Sequence, residues 1–201
     1  MAAPYVAELQ TARWTSGALH GELRNLGFRV REWPVTPHLE RDLPADSVFF
    51  DPQNSKLFGL QYKTLYHNGD DHWPLDNEQH KTLRNFPWIY YCCSEIRETR
   101  EAGIALHYAR FYRVNFDYQL YLPRRMYSFD GKFFSRWGAF YRALRQCPAG
   151  IKITSKEQLL NLLRSVRGSA RKREVLQLVE YLLTDLQNQV VYSYRNFAGQ
   201  Q

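Results

Sequence analysis

Apolar residues recur at helical spacing in the first stretch of the chain. Val6, Leu9, Leu19, Leu23 and Leu26 predict a helix from about Val6 to Leu26, with Ser16-Gly17 as a weak point and Gly27 as its stop. Phe28 to Trp33 then alternates apolar and polar positions, the period of a strand. Pro34, Pro37 and Pro44 mark a loop. The pattern next returns on itself: Ser47-Val48-Phe49-Phe50, turn formers from Asp51 to Ser55, and Leu57 to Lys63 predict a hairpin. Asn68-Gly69-Asp70-Asp71 reads as a loop, and Asp76 or Asn77 can cap a helix running to about Asn85, ended by Pro87. Trp88 to Ser94 reads as a short buried strand and His107 to Phe116 as another. Phe133, Trp137, Phe140, Tyr141 and Leu144 share a helical face, closed by Pro148-Ala149-Gly150. Ser155 caps a leucine-rich helix, and a second helix spans roughly Ala170 to Val191. Interleaved strands and helices make the class mixed α/β, with a core over residues 1–120 and a mostly helical extension over 121–201 packed on or beside it.

Composition narrows the partners. Of 201 residues, 44% are hydrophobic and 15% aromatic, enough for a packed core and unlike a disordered chain. The formal charge of +7 favours a polyanionic partner without requiring one. Cys92, Cys93 and Cys147 form no disulfide framework and no C-x-x-C zinc pair, and neighbouring thiols on a strand suit a reducing, cytoplasmic setting. The N-terminal residues lack the pattern of a signal peptide, and no apolar run is long enough to span a membrane.

The hairpin carries the chemistry. With a turn from Pro52 to Ser55 and Asp51 facing Lys56, every opposed pair sums to the same total, and Asp46 falls opposite Gln61. Opposed side chains share a face about 5 Å apart at Cβ, and Lys63, two residues on, joins them. An acid, an amide and an ammonium then converge, a set suited to phosphodiester cleavage. A carboxylate and a neutral amide oxygen can hold Mg²⁺ (or Mn²⁺), which polarises the phosphoryl group and acidifies bound water, while a lysine orients that water or offsets developing charge. Asp51 is the rival acid. It lies about 17 Å along the strand from Asp46, points to the other face and begins an Asp-Pro turn. Against all this stands the plain alternative of an exposed ion pair between adjacent strands.

At these residues the sequence resembles the PD-(D/E)XK, or restriction-endonuclease-like, nucleases. Their pattern is an acid at the start of one strand, a hairpin, then an acid or its substitute, any residue and lysine. Pro44-Ala45-Asp46 followed by Gln61-Tyr62-Lys63 matches it, with one residue inserted after the proline and Gln61 in place of a carboxylate. The order helix, strand, hairpin, helix, strand over residues from about 5 to 95 also fits, and residues beyond about 120 lie outside the resemblance. The resemblance implies a mixed sheet flanked by helices and a metal-dependent nuclease acting most often on DNA. It implies that Asp46, Gln61 and a glutamate of the first helix bind metal, and that Lys63 assists attack. Glu8 and Glu22, fourteen positions apart, lie about 40° apart on one helix face, so both are candidates, with Glu8 slightly preferred.

Further residues carry weaker signals. Gln79, in the helix after the hairpin, is a candidate to support the site, although a solvated helix face is the plainer account of it and of His80. His67 and His72 flank the loop after Lys63 without metal-ligand spacing. Arg124, Arg125, Arg142 and Arg145, interleaved with Tyr127, Trp137 and Tyr141, can track a phosphate backbone, or simply form a solvated face. Arg164, Arg167, Arg171, Lys172 and Arg173 form a second basic group, and the C-terminal helices offer a surface for a homodimer or partner protein. Two other functions therefore compete with the enzyme: a catalytically degraded module that binds nucleic acid within a complex, and a protein-interaction scaffold.

Overall fold

The computed structural model describes residues 3–27, 29–40, 43–52, 54–68, 70–114, 121–123, 136–146, 148–163, 176–182 and 184. Along the chain come β1 (Ala3–Pro4), α1 (Glu8–Asn25), β2 (Arg31–Pro34), α2 (Pro37–Glu40), β3 (Ser47–Asp51) and β4 (Lys56–Lys63). Then follow β5 (Tyr66–Asn68), β6 (Asp70–Pro74), α3 (Asn77–Leu83) and β7 (Ile89–Ser94). A 3-10 helix (Thr99–Ile104) leads to β8 (Ala109–Arg113), β9 (Tyr121–Pro123), α4 (Trp137–Arg145), β10 (Ile151–Lys152) and α5 (Lys156–Leu162). Residues 176–182 are also helical.

The molecule is mixed α/β, built on a six-stranded mixed sheet flanked by helices. Its strand order is β2-β3-β4-β7-β8, with β10 added against β4. Among the described strands of this sheet, only β4 and β7 run parallel. That pair needs a crossover, supplied by β5, β6 and α3. A second sheet, β1-β5-β6-β9, stands beside the first. Its central hairpin corrects the expectation of a plain loop at Asn68–Asp71: Asn68 pairs with Asp70 across the tip.

Burial on both faces explains why β3, β4 and β7 are apolar almost throughout. Leu57, Val48, Phe50, Tyr91 and Cys93 join one core with Leu83 of α3 and Leu159 of α5. Phe49, Phe58, Leu60, Tyr90 and Cys92 join another with Leu19 and Leu23 of α1 and Phe140 of α4. The two adjacent cysteines thus fall on opposite sides of the sheet, as strand alternation demands. Phe140 is the anchor of α4: it stacks on Phe111 at 4.5 Å and meets Tyr90 and Phe58 edge-on. Gly59 allows the close approach of β4 to β7, since a Cβ there would meet Ile89 Cγ1 at 2.9 Å.

Ser16-Gly17 does not break α1. The Ser16 hydroxyl donates to Glu32 Oε2 at 2.6 Å, and the same carboxylate meets His20 Nε2 at 2.9 Å and Ser47 Oγ at 2.5 Å. These bonds clamp the helix to β2 and β3 and hold the Glu32 carboxyl below its usual range despite its burial. The region expected as a helical extension contributes to the core itself, through β10 and through Leu159, Leu163, Leu178, Val179 and Leu182. No helix among the described residues is long and apolar enough to cross a membrane.

Candidate functional site

The β3–β4 register is the one on which the sequence argument depends: Asp51 pairs with Lys56 and Ser47 with Leu60. The paired register ends at Ser47 with Leu60, and Asp46 lies one residue before β3, where its amide shares Leu60 instead of pairing with Gln61. Its amide donates to Leu60 O at 2.9 Å, and its carbonyl accepts from Val35 N at 2.9 Å. Its backbone is therefore gripped from both sides. The carboxylate turns toward β4, where Oδ2 accepts from the Tyr62 amide at 2.6 Å and from Gln61 Nε2 at 3.0 Å. Asp51, by contrast, accepts from the Asn54 side chain at 2.7 Å, a bond internal to the turn.

Gln61 is 1% exposed, and its Oε1 has no hydrogen-bond partner among the described residues. A buried amide oxygen without a donor is costly, on the order of 1–3 kcal/mol, and is an open ligand for a hard cation. Lys63 ends β4 on the same face. It is 8% exposed, and its Nζ donates to Gln79 Oε1 at 3.0 Å while making no ion pair among the described residues. Gln79 is placed by the start of α3, where Asp76 caps the helix by accepting the Gln79 amide at 2.7 Å. The other end of the Gln79 side chain donates to Glu40 Oε1 at 3.0 Å.

Three carboxyls share this end of the sheet. Burial pushes Asp46 up to about 7; the Tyr62 amide opposes that shift, Glu40 and Glu8 add to it, and Lys63 opposes it. Burial also raises Glu8, with Lys63 pulling it down and Glu40 pushing it up. Three acids against one ammonium leave the site hungry for a proton or a cation. Among the described residues, no three His, Cys, Asp or Glu side chains converge into a ready-made metal cage. The oxygens present nevertheless fit Mg²⁺, which takes one or two carboxylates and completes its shell with water. Asp46 and the orphaned Gln61 Oε1 are the residues that would hold it, with Glu8 adjacent in charge.

Of the two helix glutamates, the electrostatic coupling to Asp46 and Lys63 falls on Glu8. Glu22 lies fourteen residues on, about 21 Å along the axis. Glu40 was missed by sequence reading, because residues 34–44 read as a loop. The available signal was Thr36-Pro37, a capping residue followed by proline at the first helical position, and Leu39 N does donate to Thr36 Oγ1 at 3.3 Å. His80 is fully buried, not solvated: Nδ1 lies 2.9 Å from Tyr91 Oη and the rings stack. His67 meets Asp71 at 3.0 Å and His72 packs beside Tyr66, both in the second sheet.

Arg142 and Arg145 are exposed on α4, which packs on the face of the sheet opposite Gln61 and Lys63. The structure does not bring them to the site. Arg124 and Arg125 lie outside the described residues, as do Cys147 and the group Arg164, Arg167, Arg171, Lys172 and Arg173. Beside the site, Pro37, Glu40, Pro44, Asp76, Glu78, Gln79 and Thr82 line an open groove of about 370 Å³ whose charged residues are all acidic. Such a groove favours cations over a phosphate chain. No family model, curated protein or solved structure matches the chain.

Proposed function

We propose that the chain is a divalent-metal-dependent nuclease of the PD-(D/E)XK type that hydrolyses phosphodiester bonds, with DNA as its substrate, in the cytoplasm. The observation that supports this most is the juxtaposition on one sheet face of Asp46, a Gln61 oxygen without a donor among the described residues, and Lys63 held by Gln79. The mixed sheet with an antiparallel hairpin followed by a parallel strand is compatible with a restriction-endonuclease-like core. A hard cation bound at Asp46 and Gln61 would supply Lewis-acid polarisation of the phosphoryl group. The residues do the rest. Lys63 presents an ammonium, fixed by Gln79, that can orient the attacking water and offset charge on the phosphorus oxygens. Asp46, held by Tyr62 and Gln61, keeps one carboxylate in place, while Glu8 adds the charge that attracts a cation.

The amide at Gln61 favours a second reading, a nuclease fold that retains nucleic-acid binding and has lost cleavage, because it removes a negative charge where a carboxylate would strengthen metal binding. One experiment separates them: supercoiled plasmid and single-stranded DNA incubated with Mg²⁺, Mn²⁺ or EDTA. We expect cleavage by wild type that is lost in EDTA and abolished by Asp46→Ala and by Lys63→Ala. Salt-sensitive DNA binding with no cleavage under any metal would establish the degraded module instead. Unchanged rates in both variants would remove the assignment.

A further inference from the structure

Lys63 is buried and makes no ion pair among the described residues, yet a carboxylate reaches it through one intermediary. Gln79 accepts from Lys63 Nζ at 3.0 Å and donates to Glu40 Oε1 at 3.0 Å. We propose that Glu40 is a positioning residue for Lys63, acting through the Gln79 amide. The inference rests on the nuclease reading only for its catalytic consequence; the relay itself stands on geometry.

The charges at the two ends decide which way the amide points. Rotating it by half a turn would set the Gln79 NH₂ against an ammonium and its oxygen against a carboxylate, donor facing donor and acceptor facing acceptor. Both contacts are repulsive, so the observed orientation is the only one that satisfies both neighbours. Without Glu40 the amide loses the partner that fixes its NH₂, and its oxygen no longer holds Lys63 in one place. Glu40 is itself placed by its surroundings. Leu39 and Leu43 are fully buried on either side, and Glu40 N donates to Thr36 O at 2.9 Å. Gln79 is held at its backbone by the Asp76 cap. Two anchored segments thus meet at one amide and stiffen the ammonium that ends β4. A hydrogen-bonded partner of a reactive group commonly contributes 10- to 100-fold in activity at metal sites, and about 10-fold is expected here.

Two readouts test the relay on the full-length chain, with thermal melting as a check on folding. In ¹⁵N-edited NMR the Gln79 side-chain NH₂ pair, assigned by its loss in Gln79→Leu, should sit away from the solvent-exposed glutamine position and exchange slowly. Glu40→Ala should move it to the exposed position, whereas Glu40→Gln, which keeps an acceptor oxygen and serves if the alanine variant does not fold, should retain part of the shift. In cleavage assays Glu40→Ala and Gln79→Ala should each lower kcat about 10-fold with KM unchanged, and the double variant should fall no further than either single one. An NH₂ pair that ignores Glu40→Ala, or kinetic losses that simply add, would overturn the relay. Absence of cleavage by wild type would remove the nuclease reading, and the NMR result would then decide the relay alone.

Discussion

At the residue scale, Asp46 is, among the described residues, the carboxyl whose environment departs furthest from an ordinary one. Burial, with Glu40 and Glu8 nearby, pushes it from its ordinary value of 3.8 to about 7. Between those values the folded protein keeps a proton that the unfolded chain has released. Stability of the metal-free protein therefore falls as pH rises through that window, by up to about 1.4 kcal/mol per pH unit from this residue. Asp46→Asn cannot ionise and escapes the penalty. Urea unfolding in EDTA should show the variant gaining on wild type between pH 5 and pH 8. An equal difference at the two pH values would mean that Asp46 is not protonated in the fold. The reason for so large a shift was invisible in the sequence, because it comes first from burial in the folded core and only then from Glu40, a residue from a segment with no apparent chemistry.

At the element scale, the β3–β4 hairpin was legible and its neighbours less so. Turn formers at Asp51–Ser55 favour the observed register, in which Asp51 pairs with Lys56; the flanking strands, buried on both faces, carry no alternation to fix it. The α3 cap was legible as Asp76 or Asn77, and the structure assigns it to Asp76. Replacing it by alanine should cost about 1 kcal/mol and should also lower cleavage, because the cap sets the backbone from which Gln79 reaches Lys63. A stability loss of that size with an unaltered rate would separate the cap from the site. The strands of the second sheet escaped notice because they are two to five residues long. Ala3 pairs with His67 across more than sixty residues, a contact no local pattern encodes.

At the scale of the whole molecule, the sheet has two faces with separate duties. One carries Asp46, Gln61 and Lys63 with α3 and α5; the other is sealed by α1 and α4. Phe140 is the main seal of that second face, so Phe140→Ala should destabilise the fold by about 3–5 kcal/mol. Chemical denaturation measures this directly, and a loss below 1 kcal/mol would mean that α4 docks by other means. The same division explains why the net charge of +7 is a poor guide to the site. The groove beside Glu40 is acidic, and the described arginines of α4 lie across the sheet.

The sequence by itself pointed to the mixed α/β class and, given a turn from Pro52 to Ser55, to a hairpin with Asp46, Gln61 and Lys63 on one face, because alternation along a strand and turn chemistry are local. It also separated Cys92 from Cys93 by the same alternation. The tertiary structure alone decided what surrounds that trio. It set Glu8 in the field of Asp46 and Lys63, brought in Glu40, turned Gln79 toward Lys63, buried His80 and drew residues beyond 121 into the core. Each of these depends on which helix packs against which face and how far along it, and that is set by the shape of the whole core, not by the spacing of residues in any one segment.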